Sequence, residues 1–241
     1  KDDPVLTKKV LILGGEGKGA SVAACIREMR LVHGIMDLEV TGFLNDYLFG
    51  HRKEIDGWPI LGKTSDVPGF KKEGFFFFYA INPLGFGKLR SSLFSDTGIE
   101  EEKLVSVIHP SAQIARNATI GAGSYVMCNA YIGPRTVIGK CAYIGANTCI
   151  SHDCQIGDFF RFSNGALMAS YVQAGNGVDI CLGSTIVDQI SIGDFSVIGA
   201  NSLVTRNIVE GDLYFGSPAR FIRKIDQDKP YRLNEAESAY L

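Results

Sequence analysis

From Ile108 onward an apolar residue returns at every sixth position: Ile108, Ile114, Ile120, Val126, Ile132, Ile138, Ile144, Ile150, Ile156, Phe162, Met168, Ala174, Ile180, Ile186, Ile192, Ile198 and Val204. The register never slips. Glycine often follows this anchor (Gly121, Gly133, Gly139, Gly145, Gly157, Gly193, Gly199). A small or compact residue often stands four places after it (Ala118, Ser124, Ala130, Thr136, Ala142, Thr148, Cys154, Ala166, Ser184, Ser196, Ser202). So long a six-residue period predicts a parallel β-helix of hexapeptides, three to a triangular coil. Coils stack about 4.8 Å apart. Anchors and small residues point into the prism, and glycine is expected to relieve backbone strain at the corners. Phe160 and Ile190 break the small-residue rule and Phe162 and Met168 enlarge the anchor, which predicts local bulging.

Before residue 108 the texture is different. "KVLILGG" (9–15) reads as a buried strand entering a glycine-rich turn, 18–33 as a helix, "LEVTGFLND" (38–46) as a second strand, "FFFFYAI" (75–81) as a third, and 86–95 as a helix. Strands alternating with helices imply a parallel sheet. About 105 residues suit one mononucleotide-sized, Rossmann-like α/β unit rather than both halves of a dinucleotide fold. The chain therefore divides into a Rossmann-like domain (1–107), a β-helix (108–210) and a C-terminal cap and tail (211–241). In the last, "GDLYFGSPARFIRKI" (211–225) reads as a turn with a basic amphipathic segment that caps the prism, followed by a polar tail.

Bulk composition narrows the partners. A formal net charge of −2 gives no electrostatic reason to expect nucleic acid or an anionic membrane. No apolar run approaches the roughly 20 residues of a membrane span. "KDDPVLTKK" carries no signal-peptide apolar stretch, so a cytoplasmic address is expected, with the six cysteines reduced.

Chemistry concentrates in "CISHDCQIGD" (149–158). Ile150 is an anchor, so Cys154 is its inward small residue and its sulfur is turned away from His152. The ligand spacing of a zinc site is also missing. His152 and Asp153 fall at positions that point outward. An outward histidine beside a carboxylate has the composition of a general base with an orienting partner; a solvated surface histidine is the alternative.

The stretches "LILGGEGKGA", "GFLND", "VIHPSAQI", "ISHDCQIGDF" and "GSPAR", set in the hexapeptide register, resemble the nucleotide-sugar acetyltransferases of the left-handed β-helix class. These are the pgl-pathway 4-amino-sugar and perosamine N-acetyltransferases, related to the sialic acid O-acetyltransferases. The resemblance spans about residues 9–225. It implies a left-handed coil, a homotrimer with active sites between neighbouring β-helices, acetyl-CoA as donor, no metal, and a nucleotide-linked amino sugar held by the N-terminal domain. On these motifs His152 matches the catalytic base and Asp153 its orienting neighbour. Histidine, with an ordinary pKa of about 6.5, suits removal of a proton from a sugar amine. Ser170 follows His152 by one coil; with Leu182 and Ala200 it matches positions along the CoA arm, mainly through backbone groups. Arg161 stands where the family often has a second histidine on the acetyl-CoA carbonyl. It is either a CoA contact or a solvent-facing corner residue.

In the N-terminal domain Gly15, Gly17, Lys18 and Gly19 occupy a turn that suits a pyrophosphate at a helix N-terminus. A purely structural strand-to-helix turn explains the glycines equally well. Glu16 is unfavourable beside phosphates. Asp46 matches an acidic residue on the base or ribose, and Asn82 is a weaker candidate at the same sheet edge. His109 reads as a turn residue and His33 as a helix-end residue. The activity implied is acetyl transfer to the amine of a nucleotide-linked 4-amino-dideoxy sugar for surface-glycan assembly. Its rivals are sialic acid O-acetylation, a γ-carbonic-anhydrase-like metal enzyme, and a non-catalytic nucleotide-sugar scaffold.

Overall fold

The computed structural model describes residues 7–226. It resolves into two compact units: residues up to Asn82 with Leu93–Pro110, and Pro83–Ser92 with Ser111 onward. The polar tail from residue 227 lies outside the described residues.

The first unit is built on a five-stranded sheet. β1 (Lys8–Leu13) pairs in parallel with β2 (Leu38–Leu44) on one side, and β2 with β4 (Trp58–Gly62) beyond it; β3 (Glu54–Ile55) adds an antiparallel edge to β4. β5 (Phe76–Tyr79) flanks β1 in parallel on its other side. Val10 to Leu13 are fully buried, because a central parallel strand is covered on both faces. Helix α1 (Lys18–Leu31) lays Val22, Ala23, Ile26 and Met29 inward. Gly19 lets that helix approach closely: a Cβ there would meet the Phe43 ring at 3.2 Å. The β3–β4 hairpin was absent from the sequence reading. It turns on Asp56 and Gly57, both left-handed (φ 48° and 87°), which is the backbone a two-residue Asp-Gly hairpin requires. Helix α2 (Val67–Lys72) precedes β5, and α3 (Gly87–Thr97) follows it.

In the second unit each two-residue strand from Gln113–Ile114 to Thr185–Ile186 pairs in parallel with the strand one coil later. One sheet stacks Ile114, Ile132, Ile150, Met168, Ile186 and Val204. A second stacks Ile120, Ile138, Ile156, Ala174 and Ile192. The third runs from Val126 through Ile144, Phe162 and Ile180 to Ile198. The four-after residues are inward as expected: Ser124, Thr136, Ser184 and Ser196 are fully buried. Their hydroxyls donate to corner carbonyls, as Thr136 does to Ser151 O at 2.7 Å.

Two expectations need correction. The glycines after the anchors do not supply a left-handed backbone. That conformation falls two residues later, at Asn129, Arg135, Cys141, Asn147, Asp153 and Phe159, with φ of 54–59°. The anchor glycines instead allow neighbouring coils to touch: a Cβ on Gly139 would lie 2.6 Å from the Asp158 amide nitrogen. Nor does the prism bulge at Phe160 and Phe162. Both are fully buried, their rings stack at 5.7 Å, and the ladder through Arg161–Phe162 shows no register shift. The pair fills the interior by stacking rather than by spreading the wall. After residue 211, Asp212–Phe215 and Arg220–Lys224 form an antiparallel hairpin that continues the third sheet, with the basic segment as its second strand.

Residues 83–92, which the sequence reading put in the first domain, group with the repeats. Arg90 holds them there. Its guanidinium donates to both Asp179 oxygens (2.8 and 2.9 Å) and to the carbonyls of Phe159, Gly177 and Pro83. Gly85 N adds a 2.6 Å bond to Asp179. Both side chains are almost wholly buried. Leu84 packs against Cys181, Val197 and Leu213. Among the described residues no helix is long and apolar enough to cross a membrane.

Candidate active site

His152 and Asp153 occupy the corner after Ile150, and the coil beneath shapes that corner. Thr136 Oγ1 accepts from Cys154 N at 3.2 Å while donating to Ser151 O, so one hydroxyl ties both ends of the turn. Asp153 N donates to Pro134 O at 2.9 Å. Cys154 lies inside the prism with its thiol donating to Ala169 O at 3.2 Å, and burial raises its pKa. Its sulfur and the imidazole therefore point opposite ways, as the register predicts.

Outside, three side chains form a line. Arg135 sits one coil before Asp153 and grips its carboxylate with both prongs of the guanidinium, Nε to Oδ1 and Nη2 to Oδ2, each at 2.6 Å. Asp153 Oδ2 also lies 2.6 Å from His152 Nδ1. Arg135 first, then His152, holds the Asp153 carboxyl down from 3.8 to about 2. A group depressed in this way has its stabilising contacts complete above about pH 4 and loses them as pH falls toward 2. Asp153 is thus an ionised acceptor wherever imidazole titrates. It fixes the proton on Nδ1 and leaves Nε2 with the lone pair of a base. The ring is 44% exposed and meets the edge of Tyr171, one coil later, at 5.3 Å.

Arg135 escaped the sequence reading although its position is legible. It precedes Asp153 by one coil and takes the same left-handed corner conformation. Replacing it with glutamine is expected to lower kcat about 10-fold, with little change in either KM. Loss of the guanidinium also removes the largest cause that holds the Asp153 carboxyl down, so that carboxyl takes up its proton at higher pH. Arg135→Lys keeps the charge without the fork and should keep the carboxyl low while losing rate. A flat response to both variants assigns Arg135 to the surface alone.

Of the other predicted residues of this unit, Ser170 shares this column, while Leu182, Ala200 and Arg161 lie elsewhere on the prism. Ser170 stacks on His152, but its backbone is already engaged: its N–H donates to Asp188 Oδ1 and its carbonyl accepts from Gln189 N, both at 3.0 Å. Leu182 and Ala200 lie one above the other at a different corner, with Asn201 N donating to Leu182 O. Arg161 is not a solvent-facing corner residue. It opens the strand Arg161–Phe162, half-buried, and its Nε is buried without a hydrogen-bond partner among the described residues.

In the first unit the candidates gather at the carboxyl edge of the parallel sheet, where such folds bind ligands. Gly14 and Gly17 are left-handed (φ 126° and 78°). Asn45 secures the turn, donating to Gly14 O and accepting from Tyr47 N and Leu48 N. A Cβ on Gly15 would meet Asn45 Nδ2 at 2.7 Å. Lys18 opens α1, which has no side-chain cap and no acid in its first turn. Glu16 pairs with Arg52, so the unfavourable charge is neutralised by a residue the sequence reading missed. Asp46 accepts from Thr64 Oγ1 (2.9 and 3.1 Å), and Asn82 Oδ1 is buried without a partner among the described residues.

Comparison with known proteins agrees with this architecture. Residues 111–145 match the bacterial transferase hexapeptide family (six repeats). Among curated proteins, galactoside O-acetyltransferase of Escherichia coli is 42% identical over 69 residues, 28% of this chain and 34% of that protein. The chain spans about a third of the length of that relative. The structure of PerB from Caulobacter crescentus, solved with CoA and GDP-perosamine, superimposes with a TM-score of 0.77 at 24% identity, covering 92% of this chain and all of that one. The acetyltransferase domain of PglB from Neisseria gonorrhoeae gives 0.78 at 25% identity, over 90% of this chain and all of that one. The fold is accordingly a left-handed parallel β-helix with a small α/β parallel sheet. Over residues 111–145 the chain is thus similar to the hexapeptide-repeat transferases, and over nine-tenths of its length it shares their fold with PerB and the PglB domain.

Proposed function

We propose that the protein is an acetyl-CoA-dependent N-acetyltransferase acting on the amine of a nucleotide-linked 4-amino-dideoxy sugar, for surface-glycan assembly. The observation that carries this reading is the Arg135–Asp153–His152 line, which leaves imidazole Nε2 basic and directed outward. His152 Nε2 takes the proton from the sugar amine, and Asp153 stabilises the imidazolium while it exists. Acetyl-CoA, when bound, supplies the activated acyl group. The amine nitrogen bonds to the acyl carbon as the carbon–sulfur bond breaks, and His152 returns the proton to the departing sulfur.

The buried, unpartnered Nε of Arg161 fits a carbonyl or phosphate of CoA. Leu182 and Ala200 stand at a different prism corner from His152, so one copy does not gather the acyl-donor candidates into one groove. That separation supports a homotrimer whose sites form between neighbouring prisms. In the first unit the uncapped start of α1 with Lys18 suits a pyrophosphate, and Asp46 and Asn82 suit the nucleoside.

The reading is tested by following CoA thiol release with UDP-, dTDP- and GDP-linked 4-amino sugars and with free sialic acid. Turnover of an amino-sugar nucleotide is the expected result. Turnover of the hydroxyl acceptor alone would instead support O-acetylation, the reading favoured by the match to galactoside O-acetyltransferase. In the same assay Arg161→Ala should raise the KM for acetyl-CoA about 10-fold, the loss of one charge-assisted hydrogen bond. A rise confined to the sugar KM removes Arg161 from the donor site.

A further inference from the structure

The two histidines read separately from sequence meet at the end of α1. Glu28 lies in that helix's last turn, and His33 stands two residues beyond Leu31. The chain reverses there: Gly34 is left-handed (φ 68°) and Ile35 N donates back to Met29 O at 2.9 Å. This brings His33 back over the helix end. His109 arrives from the 93–110 segment of the same unit, and the two imidazoles meet edge to face at 5.7 Å.

Three potential ligand atoms converge. Nε2 of His109 is 3.5 Å, and Nε2 of His33 4.0 Å, from the same Oε1 of Glu28; all three side chains offer ligand atoms within 4.8 Å of one another. These gaps exceed the roughly 2.7–3.2 Å of a good N–H···O hydrogen bond. They are closer to the edge of a tetrahedron around zinc, about 3.3 Å for bonds of about 2.0–2.1 Å. Of the nearby cations in sequence, Arg30 donates to the carbonyls of Met36 and Leu38, and Arg27 lies over the Trp58 ring at 4.8 Å. Two imidazoles and one carboxylate form a donor set that favours zinc among abundant divalent ions and leaves a fourth position to water.

We propose that Glu28, His33 and His109 form a zinc-binding site that fastens the end of α1 to the 107–110 segment. Both histidines bind through Nε2, which turns each Nδ1–H toward an outer partner. The site holds structure and takes no part in acetyl transfer.

Calorimetric titration of the full chain with ZnCl₂, thiols kept reduced, should give one saturable site per chain and none with Mg²⁺. His33→Ala and Glu28→Gln, both at solvent-accessible positions, should each weaken binding at least about 10-fold, and together abolish it. The ¹⁵N resonances of Nε2 in His33 and His109 should shift on zinc addition. Absence of saturable binding below about 0.1 mM zinc overturns the proposal. So does binding that survives the double variant, which would mark adventitious capture by cysteine thiolates or His51.

Discussion

His152→Asn is expected to lower kcat for acetyl transfer by about 10²-fold or more, with melting temperature and both KM values close to those of the parent. Asparagine retains a polar group of similar reach beside Asp153 but has no titratable nitrogen. The imidazole is 44% exposed and the turn is held by backbone and Thr136 contacts, so folding should be indifferent to the change. In the parent, Asp153, held down to about 2, adds no ionisation of its own to the rate profile above about pH 4. Steady-state CoA release from pH 5 to 9 measures both quantities. Turnover within threefold of the parent would remove His152 from the chemistry.

The largest effect on stability is expected at Arg90 and Asp179. Truncating either partner leaves a charge buried without its counter-ion, which typically costs about 3–5 kcal/mol. Asp179→Ala leaves the guanidinium among three carbonyls. Arg90→Ala leaves the buried carboxylate without its counter-ion, facing the Gly85 N–H. A paired replacement, Arg90→Met with Asp179→Leu, should cost less than either single change, because no charge remains to be buried. Denaturant unfolding followed by circular dichroism gives the cycle. Trypsin adds a local readout: Lys88 is exposed on the segment that Arg90 anchors, and cleavage there should quicken in the single variants. Equal stability for all four proteins would show that the pair adds nothing to the fold.

These sites differ in how far the sequence reveals them, for a physical reason. A six-residue period tells each side chain which way to face, so the inward Cys154 and the outward His152 are legible before any coordinates. The same period places residues one coil apart in contact, so Arg135 beside Asp153 was available to a reading that looked eighteen places back. Asp179 was not. It sits just before the anchor Ile180, a position that faces outward, and it is buried only because a remote segment carrying Arg90 lies over it. Phe160 misled for a related reason: one large residue signals a bulge, while two stacked rings fill the interior. The β3–β4 hairpin was marked by its Asp-Gly pair and overlooked. Among the candidates, resemblance named Ser170 for its backbone, and only the geometry shows Asp188 already holding its N–H.

One column of side chains restricts how a protein of this design can change length. Asp158 Oδ1 accepts from Lys140 N, Asn176 Oδ1 from Asp158 N, and Asp194 Oδ1 from Asn176 N, each reaching back eighteen residues. Excising a whole coil brings an equivalent acceptor under each amide and re-forms the ladder. Excising six residues turns everything downstream onto the next wall of the prism, so that residues of one column face those of another. Growth and loss of this architecture should therefore proceed in whole coils, and the distance from the base to either end of the prism is set in steps rather than continuously.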